Sequence, residues 1–455
     1  MSTWTADVRL ARRLVSGSDR REWWRIGLTA AGAALATAFA LAAVTLASVP
    51  DGYTVSGLHG LLGEAGTRSG VIAGLSLLLV AVLAFLGQCT RIGAAHRDRR
   101  LAGLRLAGAT PRQVRRIAAL ETGLACLAGS AVATVFSVLL LLRLWTVPTA
   151  LAWAGIALVA VGVPVAGAAA GAAALRRVVA SPLGRLRRTV PGTGRGPGLL
   201  FLGAMVPLAV VTPFVMGGSG GPGGPGGRGE WRTPTAVFLL VLALGAGAVW
   251  LAGATARLTG RILGPRARSA AALLAAARLR DDPWAPARTH AAVLVVTAAG
   301  TAFLGVRHAM LTELRAREGH LGMDSAYYTT GLDLTGAALL VALALTLGGL
   351  AVGAAESVTT RRRALAAQVA AGVPRRVLNR GLLLETALPL APALLLAGAG
   401  GLGVGLWYSS LAGDGSLPWA ALLVAPGVYA SCLLSAATAL PLLGRSVRPG
   451  ELRYV

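Results

Sequence analysis

The chain has 455 residues, of which 55% are hydrophobic and 13% charged, and its 43 basic residues, all arginine, against 18 acidic ones give a formal net charge of +25. Uncharged apolar runs of about twenty residues, the length that crosses a bilayer core as a helix, recur along it and exclude an ordinary soluble domain. The arginines sit in short clusters between those runs rather than on one basic face, which argues against nucleic acid as the partner. The lack of lysine fits a GC-rich coding bias and carries no chemistry. Cys89, Cys126 and Cys432 have no metal-ligand spacing and form no even set, so they read as small buried hydrophobes.

In chain order, residues 1–25 mix five or more arginines with Val8, Leu10, Leu14 and Trp23-Trp24, a pattern suited to a basic amphipathic helix at the membrane surface. Apolar runs at 26–49, 70–90, 117–142 and 150–175 predict spans one to four. Residues 178–197 form a basic, Gly/Pro-containing linker. Spans five (198–216) and six (234–256) follow, separated by the glycine-rich stretch 217–228. That stretch lacks the strand before it and the Lys-Ser/Thr after it that a phosphate-binding loop requires. Residues 257–288 are again basic and partly amphipathic, with Leu273, Leu274, Ala277, Arg278 and Arg280, and precede span seven (289–308) as residues 1–25 precede span one. The segment 309–332 reads as an interfacial helix with a Glu313 to Arg317 pair. Spans eight (333–356), nine (381–407) and ten (419–443) complete the chain before a short basic tail. The expected fold is therefore an all-α polytopic membrane protein of about ten transmembrane helices.

With both termini on the cytoplasmic side, 36 of the 43 arginines fall in cytoplasmic segments, and only Arg68, Arg143, Arg228, Arg232, Arg307, Arg315 and Arg317 lie outside. Such an imbalance sets the orientation by the positive-inside rule.

An internal repeat organises these elements. Residues 97–122 and 361–386 superpose without a gap, pairing Arg97 with Arg361, Arg99 with Arg363, Leu101 with Leu365, Gly108 with Gly372, Arg112 with Arg376, and Glu121-Thr122 with Glu385-Thr386. Each copy links two apolar runs. In the first, Gly108 suits a helix C-terminal cap, Thr110 and Gln113 a capping box, and Pro111 the first helical position. The second keeps the glycine and has Pro374, but Val373 is a poor cap residue. The short helix carries Leu101 and Leu104 on one side and arginines on the other. This fits two roles, a rigid knob seated in a partner with an acidic rim, or an anchor against anionic headgroups.

The connector, with Ala107-Gly-Ala-Thr-Pro-Arg-Gln-Val-Arg-Arg116 leading to an apolar helix near Leu120-Glu-Thr122, resembles the signature of the FtsX-like permease family, membrane subunits of mechanotransmission-class ABC transporters. The resemblance implies a 4+2+4 arrangement: a four-span unit over 1–177 with its N-terminal amphipathic helix, a linker with helices five and six over 178–265, and a second four-span unit over 266–455. It implies that segments of about 96–113 and 360–377 dock on a cytoplasmic ABC ATPase, a dimer that holds ATP and Mg. Carried onto this sequence, the docking residues are Arg97, Arg99, Leu101, Leu104, Gly108, Pro111 and Arg112, then Arg361, Arg363, Leu365, Gly372, Pro374 and Arg376. The chain departs from many members in one respect. Segments 50–69 and 309–332, where a large extracytoplasmic domain would stand, are only about twenty residues each.

Acids near a membrane interior are costly and invite a functional reading. Glu121 and Glu385 stand one or two turns into spans three and nine, and Glu356 closes span eight. They fit either coupling contacts to connector arginines or side chains that snorkel to the surface. No Ser/His/Asp order, HExxH or CxxC is present, and without lysine the chain cannot carry a Walker-type loop, so ATP hydrolysis is expected in a partner. The expected function is that of a permease subunit moving a hydrophobic or amphipathic client, a lipid or peptide antibiotic, with membrane lipids as its surroundings and no metal or cofactor of its own. Alternatives from other classes are an ATP-driven signalling protein acting with a sensor or regulatory membrane partner, and an ion-coupled carrier, whose charges should lie at the midplane.

Overall fold

The computed structural model describes residues 20–49, part of 71–89, 103–145 apart from 105, 148–174, 232–316, 325–411 and 418–441. Every regular element among these residues is a helix: α1 (Arg20–Ala47), α2 (Pro111–Leu144), α3 (Ala150–Ala174), α4 (Arg232–Arg266), α5 (Ala270–Asp281), α6 (Trp284–Ala316), α7 (Ser325–Thr360), α8 (Arg362–Ala370), α9 (Arg375–Leu411), α10 (Trp419–Leu422) and α11 (Val424–Ala437). Among the described residues, seven stretches are long and apolar enough to cross a membrane: Ile26–Ala47, Pro111–Arg143, Ala150–Ala169, His290–Ala316, Thr329–Thr360, Arg375–Ser410 and Trp419–Ala437. They coincide with expected spans one, three, four and seven to ten. The all-α polytopic class holds. Described residues of span two are helical, α4 covers span six, and span five lies outside the described residues.

Several helices outrun the apolar runs that predicted them. The segment 309–332, expected as an interfacial helix, is helical where it is described, but as continuations of the spans: α6 runs on to Ala316, and α7 begins at Ser325. Arg317, the expected partner of Glu313, lies outside the described residues. The last span is split by a turn at Leu423 into α10 and α11.

The chain divides into two compact units. The first comprises 1–55 and 85–194, the second 56–84 and 195–455. In the first unit α1, α2 and α3 pack on one another. Small residues let the backbones approach: a Cβ at Gly129 of α2 would collide with the Ala30 carbonyl of α1, and one at Gly171 of α3 would lie 2.7 Å from the Thr122 hydroxyl. Trp145 ends α2 and is buried with Val49, Ala152 and Leu141. Thr149 caps α3 by accepting from the Ala152 amide at 3.3 Å, and its hydroxyl donates to the Ser48 carbonyl at 3.4 Å.

In the second unit α6 and α9 form the central pair, with α4 against both. A Cβ at Gly305 of α6 would come within 2.6 Å of the Gly405 Cα of α9, so the crossing tolerates no side chain there. Val293, Leu294 and Ala298 of α6, Leu390, Leu394 and Ala397 of α9, Leu350 of α7 and Cys432 of α11 fill the core. The Ser435 hydroxyl ties α11 to α7 by donating to the Leu347 carbonyl at 2.7 Å. The amphipathic segment forms α5, capped by Ser269 and packed on α4 and α9. Its buried face is Ala271, Ala275, Ala276 and Leu279, while Leu273 is exposed.

Candidate functional site: the two connectors

Both connectors turn on a glycine in the left-handed region, Gly108 at φ +96° and Gly372 at φ +88°, a conformation that costs other residues a steric clash within their own backbone. After Gly372 the closing bonds are those of a Schellman motif: the Val373 amide donates to the Gln368 carbonyl at 3.0 Å and the Gly372 amide to the Val369 carbonyl at 2.9 Å. The first copy repeats the outer bond, from the Ala109 amide to the Leu104 carbonyl at 3.0 Å.

The next helix starts differently in the two copies. Ahead of α2 the capping box is complete: the Thr110 hydroxyl accepts from the Gln113 amide at 3.3 Å, and the Thr110 amide donates to Gln113 Oε1 at 2.8 Å. Pro111 takes the first helical position. Ahead of α9 Val373 does no capping. It is the apolar residue that follows the left-handed glycine and packs back on the preceding helix, sharing a cluster with Val369, Leu365, Leu378 and Leu382.

That cluster revises the reading of the connector's apolar face. Leu365 is 2% exposed and packs with Val358 of α7, Leu378 and Leu382 of α9, and Leu274 of α5. Leu104 likewise lies partly buried against Val114, Ile117 and Ala118 of α2. These leucines hold the connector to its own bundle, because a short helix lying on two longer ones buries its apolar side there. The outward face carries other residues. In the first copy Leu106 is 79% exposed, beside exposed Gly108, Pro111 and Arg112. In the second, Arg363, Gly372, Pro374 and Arg376 are exposed. Arg97, Arg99 and Leu101 lie outside the described residues.

Beneath the second connector is an ion-pair cluster. Arg361 Nη1 donates to Glu385 Oε1 at 2.9 Å and Oε2 at 3.2 Å, while Arg278 Nη1 of α5 donates to Oε2 at 3.0 Å. Glu385 is only 15% exposed, so the two guanidinium groups supply what water would otherwise give. One carboxylate thus joins the connector, the amphipathic helix α5 and span helix α9. Glu121 stands at the matching register of α2 and is buried with Thr122. The two threonines behave alike, Thr122 donating to the Ala118 carbonyl at 3.2 Å and Thr386 to the Leu382 carbonyl at 3.4 Å. Glu356 accepts from Thr360 at 3.1 Å and Thr359 at 3.3 Å near the end of α7, on its own helix.

Sequence reading missed Arg278 as the second partner of Glu385. The two are 107 positions apart, and nothing in local pattern links them. It also passed over Leu106, because the repeat holds Ala370 at that place and the signal is exposure, a tertiary property.

The geometry defines a polytopic helical membrane protein with two helix-glycine-helix connectors that lead into apolar helices. Residues 71–183, which include the first connector, α2 and α3, match the family model of the FtsX-like permease C-terminal domain. The match covers about a quarter of the chain, and over it the protein is similar to the membrane-embedded C-terminal domain of FtsX-like permeases. No curated protein matches the chain, and no solved structure does.

Proposed function

We propose that the two connectors seat on a separate cytoplasmic ATPase dimer, which binds ATP and Mg, and that its closure drives export or extraction of a hydrophobic or amphipathic client from the membrane. The observation that carries the reading is the recurrence of one corner, a short helix closed by a left-handed glycine, at matching places of the internal repeat. Anchoring to lipid needs only charge, and a conserved corner geometry in both copies goes beyond it. The cluster on Glu385 supports a path for the motion, since displacing Arg361 pulls on α9 and α5 together. The client is argued to be a lipid or an amphipathic antibiotic that enters laterally, because segments 50–69 and 309–332 are too short to build a capture domain. The arginine distribution supports a cell-membrane protein with both termini in the cytoplasm.

The test is ATPase activity of the cognate ATPase subunit reconstituted in lipid with this chain, native or carrying Leu106→Glu or Arg376→Glu. Both positions are exposed, so neither substitution disturbs the bundle core. The reading expects the native chain to bind and stimulate the ATPase and the variants to lose this while still inserting. Native-like stimulation in both variants, or no binding by the native chain, overturns it.

A further inference from the structure

The hairpin of α4 and α5 carries a surface that neither the connectors nor the bundle core uses. The last turns of α4 expose Leu258 (57%) and Ile262 (47%) with Arg261 between them, and α5 exposes Leu273 (54%). The turn and the helix ends add exposed Arg266, Arg268 and Arg280. Arg280 is held in place. Its stem crosses Gly260, where a Cβ would meet its Cγ at 2.8 Å, and Nη1 lies 3.6 Å from the equivalent point at Gly264. Two glycines one turn apart thus make a trough that lays this side chain along α4 toward the other arginines. Residues 257–282 contain six arginines against Asp281 and Asp282, which close α5 at the end away from the turn. Of the six, Arg278 is engaged by Glu385, and Arg257 also has a partner within the fold.

Such crowding of like charge calls for an anion, and the interleaved apolar side chains say what kind. A soluble acidic partner would leave Leu258, Ile262 and Leu273 in water or need a pocket for each. A bilayer interface takes both classes at once, apolar groups at the acyl boundary and guanidinium groups on the phosphates. The placement agrees: α4 has 35 residues and begins with the apolar run 234–256, so Leu258 and Ile262 stand about 3 and about 9 Å beyond it, at the level of a headgroup layer about 5 to 8 Å deep, with the turn arginines next along the chain.

We propose that the α4–α5 hairpin binds anionic phospholipid headgroups, with Leu258, Ile262 and Leu273 at the acyl boundary and Arg266, Arg268 and Arg280 on the phosphates. This surface is independent of ATPase docking. Its position matters because α5 also supplies Arg278 to Glu385, so lipid charge would bias the element that steadies the second connector.

The experiment is photo-crosslinking of the full chain in nanodiscs, comparing a diazirine phosphatidylglycerol probe with the matching phosphatidylcholine probe. Labelling is mapped by peptide mass spectrometry for the native chain, for Arg266→Gln/Arg268→Gln/Arg280→Gln and for the corresponding triple lysine variant. At roughly 1 kcal/mol per interfacial arginine, the anionic probe should label 257–280 at least about fivefold more than the neutral one. The glutamine variant should fall to the neutral level and the lysine variant should not. Labelling of the exposed face around Phe136 and Leu158 serves as the insertion control and should stay the same for both probes in all three proteins. Equal labelling of the hairpin by both probes, loss of the preference in the lysine variant, or a hairpin reached by neither probe because protein covers it, each overturns the proposal.

Discussion

Arg361 reaches Glu385 across 24 residues of chain at 2.9 Å, so the arginine that opens the second connector is tied to the span helix the connector leads into. Arg278 completes the cluster from a third element. Removing one member of a poorly solvated pair leaves the other's charge uncompensated, which makes the pair testable by a double-mutant cycle. Arg361→Met and Glu385→Gln should each lower stability in detergent, with a coupling energy of about 1 to 3 kcal/mol. Additive effects would show that the contact contributes nothing specific.

Gly108 and Gly372 stand in open space, with no atom within 4 Å of an added Cβ, so a substitution there meets backbone strain rather than a clash. Alanine at either should cost about 1 kcal/mol. The local reporter is hydrogen exchange at the Ala109 and Val373 amides, whose bonds to Leu104 and Gln368 close the corners. Both should exchange faster in the matching variant, and asparagine should be tolerated better than alanine.

The capping box makes the first corner more dependent on one side chain than the second. Thr110→Ala should cost about 0.5 to 2 kcal/mol and expose the Gln113 amide to exchange, whereas Thr110→Ser should retain protection.

Gly305 and Gly405 touch through their backbones at the α6–α9 crossing. Gly305→Ala should force the helices apart and cost about 1 to 3 kcal/mol, as overpacking does in other cores. Gly403, on the same helix as Gly405 and with nothing within 4 Å, provides the control: Gly403→Ala should leave the unfolding midpoint unchanged or raise it slightly.

Leu365→Glu should act as a folding variant, because it places a carboxylate in the cluster of Val358, Leu378 and Leu382. Its thermal transition should fall by several degrees in the absence of any partner, while Leu106→Glu, at an exposed position, should leave that transition in place. Equal effects of the two would contradict the burial assigned to Leu365.

The amino-acid order alone determined the helical membrane class, the positions of most spans, the repeat, and the corner at each connector, down to Gly108, Thr110, Gln113 and Pro111. Those features depend on local physics: an uncharged run long enough for a bilayer, a φ that glycine alone adopts freely, and a hydroxyl three residues from a helical amide. Only the tertiary structure decided which side of the connector faces out, because apolar character makes Leu365 and Leu106 equally eligible for burial and neighbouring helices choose between them. It alone brought Arg278 to Glu385 and Gly305 to Gly405. Those pairs are about a hundred residues apart, and what joins them is the packing of α5 and α6 on α9, which no local pattern encodes.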